Sequence, residues 1–283
     1  MNKKIAFIGV GNMANAIIHG IVSRENNPIS WNDIILFNRR VEKIEKFRDC
    51  GAYVAKTLKE AVEYADYVFL CVKPQSFPDI LPLLGEIDGI ENKIFVSIAA
   101  GIDSDAVSAA TNNAAVIRVM PNTPMLIGKG VSALSRNKYV SDEDFCFVCD
   151  VFSSAGDIIV IREDEMNRII CVTGSSPAYV FMMIKAMFDG AEKQGLISSD
   201  GSSGLTSKEL IDCICNTIIG AAELMKSSTK SPDEQIATVA SKGGTTERAI
   251  SELNEYKFCE AIVSAMEKCT QRADELGKKD NNT

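Results

Sequence analysis

Two stretches of this sequence hold residue types whose spacing suits binding chemistry. The first, Gly9-Val10-Gly11-Asn12-Met13-Ala14, has the form G-x-G-x-x-A and lies between a short apolar run and a helical pattern. In that setting it reads as a dinucleotide fingerprint. Gly9 makes the tight turn. Gly11 carries no side chain, so a pyrophosphate can approach the main chain, and Ala14 lets the helix pack close to the strand. Free N–H groups along Val10, Asn12 and Met13, at the positive end of the helix dipole, would hold the phosphates. The second stretch, Ser241-Lys242-Gly243-Gly244-Thr245-Thr246, leads into a helical pattern beginning near Glu247. Two glycines ahead of a helix expose successive N–H groups, which make a cradle for an anion. An ordinary glycine turn in the first case, and a helix cap without ligand in the second, are the alternatives.

The end of the second expected strand bears on the choice of dinucleotide. An NAD site usually places Asp or Glu there for the ribose 2′-hydroxyl, and this chain has Asn38-Arg39-Arg40. A carboxylate would repel a 2′-phosphate, whereas guanidinium groups pair with it in charge-assisted fashion. NADPH is therefore expected, with NADH possible, against the alternative that both arginines are solvated surface. Two later strand ends would face the same cleft. One carries Val72-Lys73-Pro74, and the other carries Ile98-Ala99-Ala100, small enough to leave room for a nicotinamide ring. Lys73 is read as positioning cofactor or loop, with a proton-donor role as the alternative.

These groups need a scaffold, and the chain alternates accordingly. Apolar runs at 4–8, 34–37, 67–72, 94–98 and 116–120 read as buried strands, with 157–161 as a last one. Helical patterns lie at 13–23, 41–50, 58–64 and 77–84. Such alternation predicts β-α-β crossovers and a parallel-rich sheet, that is, an α/β Rossmann-type domain over 1–162. After the charged stretch 162–165 nearly everything has helical period: 177–194, 207–226, 232–240, 247–253 and 256–276. An all-α second domain is thus expected over 163–283. Its 177–194 helix is apolar or small around most of its circumference, and a small domain cannot cover such a helix alone. A partner subunit is expected to do so.

The bulk numbers exclude some classes. The formal net charge of −8 argues against a general nucleic-acid or anionic-membrane binder. No run of about 20 uncharged apolar residues is seen, so no membrane span is expected. The nine cysteines form no framework, and their odd number suggests a reducing, cytoplasmic setting. Cys146 and Cys149 make a C-x-x-C, but no second pair and no histidine lies nearby to complete a metal site. They read as helix positions in a core, and no metal is expected. His19 is the only histidine and falls on the first helix, where a structural role fits better than catalysis.

Taken together, six segments resemble the pyrroline-5-carboxylate reductase family: 7–16 (FIGVGNMANA), 71–75 (CVKPQ), 97–101 (SIAAG), 118–124 (RVMPNTP), 173–179 (TGSSPAY) and 241–246 (SKGGTT). The resemblance runs over nearly the whole chain, and RVMPNTP with the late GGTT carries most of it. It implies a Rossmann domain followed by a helical dimerisation domain, in a homodimer or larger homo-oligomer. It also implies reduction of pyrroline-5-carboxylate by NAD(P)H to L-proline, the last step of proline biosynthesis. Asn122 joins the expected cofactor residues on this ground. Ser241, Gly243, Gly244, Thr245 and Thr246 are implied to hold the substrate carboxylate, with the Thr246 hydroxyl aimed at the ring nitrogen as the catalytic group. The family usually has Gly where this chain has Ser176, and Pro where it has Lys242. Some relatives have an acidic residue near position 229; here Thr229 carries no role. The alternatives are a related imine reductase or a β-hydroxyacid-type reductase with Lys185 as acid–base, and a nucleotide-sensing scaffold without activity.

Overall fold

The structure is a computed structural model that describes residues 3–23, 29–197 and 204–279. Its strands are β1 (Ile5–Ile8), β2 (Ile34–Phe37), β3 (Tyr53–Val54), β4 (Tyr67–Leu70), β5 (Ile94–Ser97), β6 (Ala115–Met120), β7 (Gly130–Arg136) and β8 (Gly156–Val160). They form one sheet in the order β3-β2-β1-β4-β5-β6-β7-β8. Every neighbouring pair is parallel except β6 and β7. The helices of this region are α1 (Asn12–Val22), α2 (Leu58–Glu63), α3 (Phe77–Gly85), α4 (Ser104–Ala110) and α5 (Asp142–Ser153).

All residues of β1 and β4 are buried, as suits a parallel sheet covered on both faces. Alternate residues serve opposite faces. Ile5 and Phe7 join a cluster with Ile17 and Ile21 of α1 and Phe152 of α5. Ala6 and Ile8 join Val62 of α2, Leu84 of α3 and Val107 of α4. This two-sided core presents the strand ends, and with them the glycine loop, at one edge of the sheet.

Several features of this region depart from the sequence expectation, the short strand β3 among them. The stretch 41–50 is not an α-helix but two 3-10 turns, Val41–Lys43 and Glu45–Phe47. Only Ile44 and Phe47 are buried there, an i, i+3 spacing that matches the three-residue period of a 3-10 turn. Strand β7 was not expected, because its sequence GVSALSR mixes serines into buried positions and loses the apolar signature. Helix α4 was also unforeseen; Asp103 caps it by accepting from the Ala106 N–H at 2.7 Å.

The second half contains α6 (Ser176–Lys193), α7 (Ser207–Ser227), α8 (Pro232–Val239), α9 (Thr245–Glu255) and α10 (Phe258–Lys279). Gly195, in the left-handed region at φ +77°, follows α6 as its stop. The Ser176 hydroxyl, at the first residue of α6, donates back to the Val172 carbonyl at 2.5 Å. Helices α7 and α8 begin with capping boxes, Thr206 with Glu209 and Ser231 with Glu234. The stretch Ile169–Lys193 is long and apolar enough to cross a membrane by length and composition, contrary to expectation. It is not one helix: a 3-10 turn, Ile169–Cys171, precedes α6, and Lys185 pairs with Asp189 within it.

The chain resolves into two compact units, Met1–Pro177 with Glu267–Thr283, and Ala178–Met266. The division falls at Pro177 and again inside α10. In the first unit Met120, Ala133, Met166, Ile170 and Ala273 form a third cluster that includes the end of α10. In the second, Leu210 and Ile214 of α7 pack with Ile184 and Phe188 of α6.

Candidate active site

The turn between β1 and α1 is Gly9-Val10-Gly11. Gly9 has φ +86°, and its N–H donates to the Phe37 carbonyl of β2 at 2.8 Å. A Cβ there would stand 2.6 Å from Val72 Cγ1, so only glycine fits. Gly11 is the N-cap of α1, and a Cβ on it would meet nothing within 4 Å. Its main chain is bare, and the first N–H groups of α1 have no carbonyl of their own helix to bond.

The loop opens on a cleft of about 240 Å³ that brings together Gly9, Val10, Gly11, Asn38, Arg39, Arg40, Val72 and Lys73. Asn38 organises its wall: its Oδ1 accepts from the Val10 N–H at 3.4 Å, and its Nδ2 donates to the Arg40 carbonyl at 2.8 Å. Arg39 Nη2 lies 3.4 Å from the Ser76 hydroxyl. Lys43 and Ser76 also line the cleft, and sequence reasoning missed both. Lys43 was hidden because 41–50 was read as a helix. Cys71 sits at the same strand end, where burial pushes its thiol well above the usual range and keeps it protonated. The residues present fit a phosphorylated dinucleotide: an unshielded glycine turn, a helix N-terminus and a cationic wall with no carboxylate at the end of β2.

Asn12, Met13, Pro74, Ile98, Ala99, Ala100 and Asn122 do not line this cleft. Asn12 and Met13 open α1, and Pro74 begins a 3-10 turn after β4. Ile98, Ala99 and Ala100 follow β5, and Ile98 N–H donates to the Leu70 carbonyl at 3.3 Å. Asn122 is buried, with its amide committed to the scaffold. Its Nδ2 donates to the Thr173 carbonyl at 3.0 Å, and its Oδ1 accepts from Val131 N–H at 2.9 Å.

In the second unit the residues 241–246 close a tight turn onto α9. Gly243 adopts φ +74°, and Gly244 is the N-cap. The Gly244 N–H donates to the Ser241 carbonyl at 2.9 Å, and the Gly243 N–H to Glu247 Oε2 at 2.7 Å. Both glycine amides therefore have partners within the turn. Thr245 and Thr246 are the first two residues of α9, where main-chain N–H groups lack an acceptor in the helix. A Cβ at Gly244 would come within 2.7 Å of Ser241 Oγ, so the turn and the serine hydroxyl are tightly fitted.

The other candidates fall elsewhere. His19 packs edge-on to Trp31, with ring centroids 5.9 Å apart. Cys146 and Cys149 lie on α5 and are unpaired. Among the described residues no cluster of His, Cys, Asp and Glu could hold a metal ion. Lys185 is exposed and pairs with Asp189 one turn along α6.

Residues 163–276 match a family model described as pyrroline-5-carboxylate reductase dimerisation, and residues 4–101 match NADP oxidoreductase, coenzyme F420-dependent. The chain is 36% identical to pyrroline-5-carboxylate reductase of Corynebacterium melassecola over 97% of this chain and 98% of that protein. It is 33% identical to the Escherichia coli K12 enzyme of that name, over 98% of this chain and the whole of that one. The solved structure of Plasmodium falciparum pyrroline carboxylate reductase with NADP bound matches with a TM-score of 0.85 at 25% identity, covering 98% of each chain. An Aspergillus terreus reductive aminase in complex with NADPH shares the fold alone, at TM-score 0.57 and 14% identity. These matches span both units of the molecule, and the chain belongs to the pyrroline-5-carboxylate reductase family.

Proposed function

We propose that this protein reduces pyrroline-5-carboxylate to L-proline with NADPH as the hydride donor. The observation that carries the reading is the pairing, on one family member, of a cation-walled dinucleotide cleft with a Gly-Gly turn at a helix N-terminus. The first suits the cofactor and the second suits a small carboxylate. Residues 1–162 serve the cofactor and 163–283 serve substrate and assembly, except that the end of α10, from Glu267, belongs to the compact unit of the cofactor.

NADPH held in the cleft would supply the hydride that converts the protonated cyclic imine, at C5, to a secondary amine. The chain's own residues bind and orient. Gly9, Val10, Gly11, Asn12 and Met13 present main chain to the pyrophosphate. Asn38, Arg39 and Arg40 would hold the 2′-phosphate, and Val72, Lys73, Pro74, Ile98, Ala99, Ala100 and Asn122 would shape the nicotinamide end. The N–H groups of Thr245 and Thr246, with the Ser241 hydroxyl, hold the substrate carboxylate. Gly243 and Gly244 contribute the shape of the turn, since their amides are used within it. The Thr246 hydroxyl orients the ring nitrogen. The imine needs no strong acid from the protein, so positioning supplies most of the rate.

Assembly follows from α6, on which no residue is buried. Phe181 is 64% exposed and Met182 72%, too much apolar surface to leave in water. A second copy covers it, giving a homodimer through the C-terminal helices. The nine unpaired cysteines suit a reducing compartment such as the cytoplasm.

Thr246→Ala tests the reading. Turnover of NADPH with pyrroline-5-carboxylate falls by about ten- to a hundredfold while NADPH affinity holds, and Thr246→Ser keeps most of the rate. An unchanged rate in Thr246→Ala removes that residue from the mechanism. No NADPH consumption by the native protein on adding the imine sinks the function.

A further inference from the structure

The first unit contains a buried charge whose purpose packing alone does not explain. Arg118 of β6 is 2% exposed and stands in register with Ser97, the last residue of β5. Burying a guanidinium is costly unless it is paired and hydrogen-bonded, and an apolar side chain would fill the same space. Here the partners are specific. Arg118 Nη1 lies 3.1 Å from Glu163 Oε1, and Nη2 donates to Asn167 Oδ1 at 2.7 Å. Glu163 Oε1 also accepts from the Ser104 N–H at 3.0 Å, and its Oε2 accepts from the Ser135 hydroxyl. Asn167 Nδ2 donates onward to Asp274 Oδ1 of α10 at 2.9 Å.

One carboxylate thus joins β6, β7 and the first residue of α4. What it holds in place is the segment 98–103, which runs from β5 to α4. That segment is pinned at its other points as well. Ile98 N–H bonds to β4, and Ala99 is buried. Gly101, at φ +80°, sits so close to α10 that a Cβ would stand 2.8 Å from Leu276 Cβ and 3.1 Å from the Ala273 carbonyl. Glu163 closes the far end, at Ser104. The network that holds Glu163 reaches the same helix, through Asn167 and Asp274, that covers Gly101.

We infer that Glu163, held by Arg118, is a positioning residue for hydride transfer: it fixes the 98–103 segment so that Ile98, Ala99 and Ala100 keep the nicotinamide ring in place. This rests on the reading of those three residues as the wall of the nicotinamide end. Glu163 does not line the dinucleotide cleft. It acts through Ser104 and the segment that ends there.

The test compares two ligands that share the adenosine 2′-phosphate end. NADP+ carries the nicotinamide, and 2′-phospho-ADP-ribose does not. Glu163→Gln, nearly the same shape, lowers kcat by about ten- to a hundredfold, as misplacement of reacting groups does. It weakens NADP+ by about tenfold and leaves 2′-phospho-ADP-ribose within about twofold of the native value. General loosening of the fold would weaken both ligands alike, and that result overturns the inference. So does an unchanged kcat. Should Glu163→Gln fail to fold, Arg118→Met combined with Glu163→Gln removes both charges together and carries the same comparison. Native protein that binds 2′-phospho-ADP-ribose but gains nothing from the nicotinamide would refute the wall reading, and with it the role of Glu163. Native protein that binds neither would refute the cofactor site itself.

Discussion

Every residue of β1 and β4 is buried, whereas none on α6 is. The strands are covered by helices of their own chain on two faces. Among the described residues, α6 packs in a local cluster with α7 that contains Leu210 and Ile214. The difference teaches which unit is complete by itself. The cofactor unit finishes its core within one chain, while the helical unit leaves apolar surface exposed, as suits the proposed cover by a second copy.

The largest effect is expected where that comparison is most extreme. Phe181→Asp, or Met182→Asp, places a charge on the exposed apolar face of α6. Light scattering should then report monomers, and activity should drop by about a hundredfold or more, with NADPH binding by the first unit retained. Full activity in a monomeric variant breaks the comparison. Next in size is Gly9→Val in the complete unit. The added side chain meets Val72 at a position with φ +86°, and NADPH affinity should fall by about a hundredfold in fluorescence titration. The dimer should persist, which sharpens the separation between the two regions.

A smaller change is expected from Arg39→Ala with Arg40→Ala. The preference for NADPH over NADH should fall by about tenfold or more, because charge-assisted bonds to the 2′-phosphate are lost and the rest of the cleft is kept. Equal losses for the two cofactors would show the arginines to be plain surface. The smallest effect concerns acid. Asp33 is buried just ahead of β2, and burial alone would raise its pKa. Hydrogen bonds from Lys4, at 2.9 Å, and from Ser30 outweigh burial and hold the carboxyl below its usual range. Its contribution is therefore fully present above the pKa of the unfolded aspartate and is lost as pH falls through the lower folded value. Thermal melts should show the native protein losing more stability across that acid window than Asp33→Asn. Parallel curves would deny the pair any such role.

Much of this molecule was legible in its residues, and the gaps have physical reasons. Buried parallel strands advertise themselves as unbroken apolar runs, so β1, β2, β4 and β5 were readable within a residue or two at each end. The glycine loop was readable because Gly9, at φ +86° and hard against Val72, has a steric duty that no other residue can perform. Strand β7 was not, since Ser132 and Ser135 take buried positions that a sequence pattern assigns to water. The run 162–165 looked like a solvated boundary, yet it contains Glu163, the partner of a buried arginine far away in sequence. Charge alone does not reveal a distant partner. The Gly-Gly turn before α9 was readable as a turn at a helix start, but not the use of its two glycine amides within the turn itself.

The last helix has a consequence for how the protein is made. Residues from Glu267 onward belong with the nucleotide-binding unit, where Asp274 extends the Arg118 network and Leu276 and Gly277 cover Gly101. A ribosome delivers them after all of the intervening helices. The half of the protein that is translated first therefore waits for the end of α10 before its own structure is finished, and a nascent chain halted before Glu267 would expose an unsealed cofactor domain.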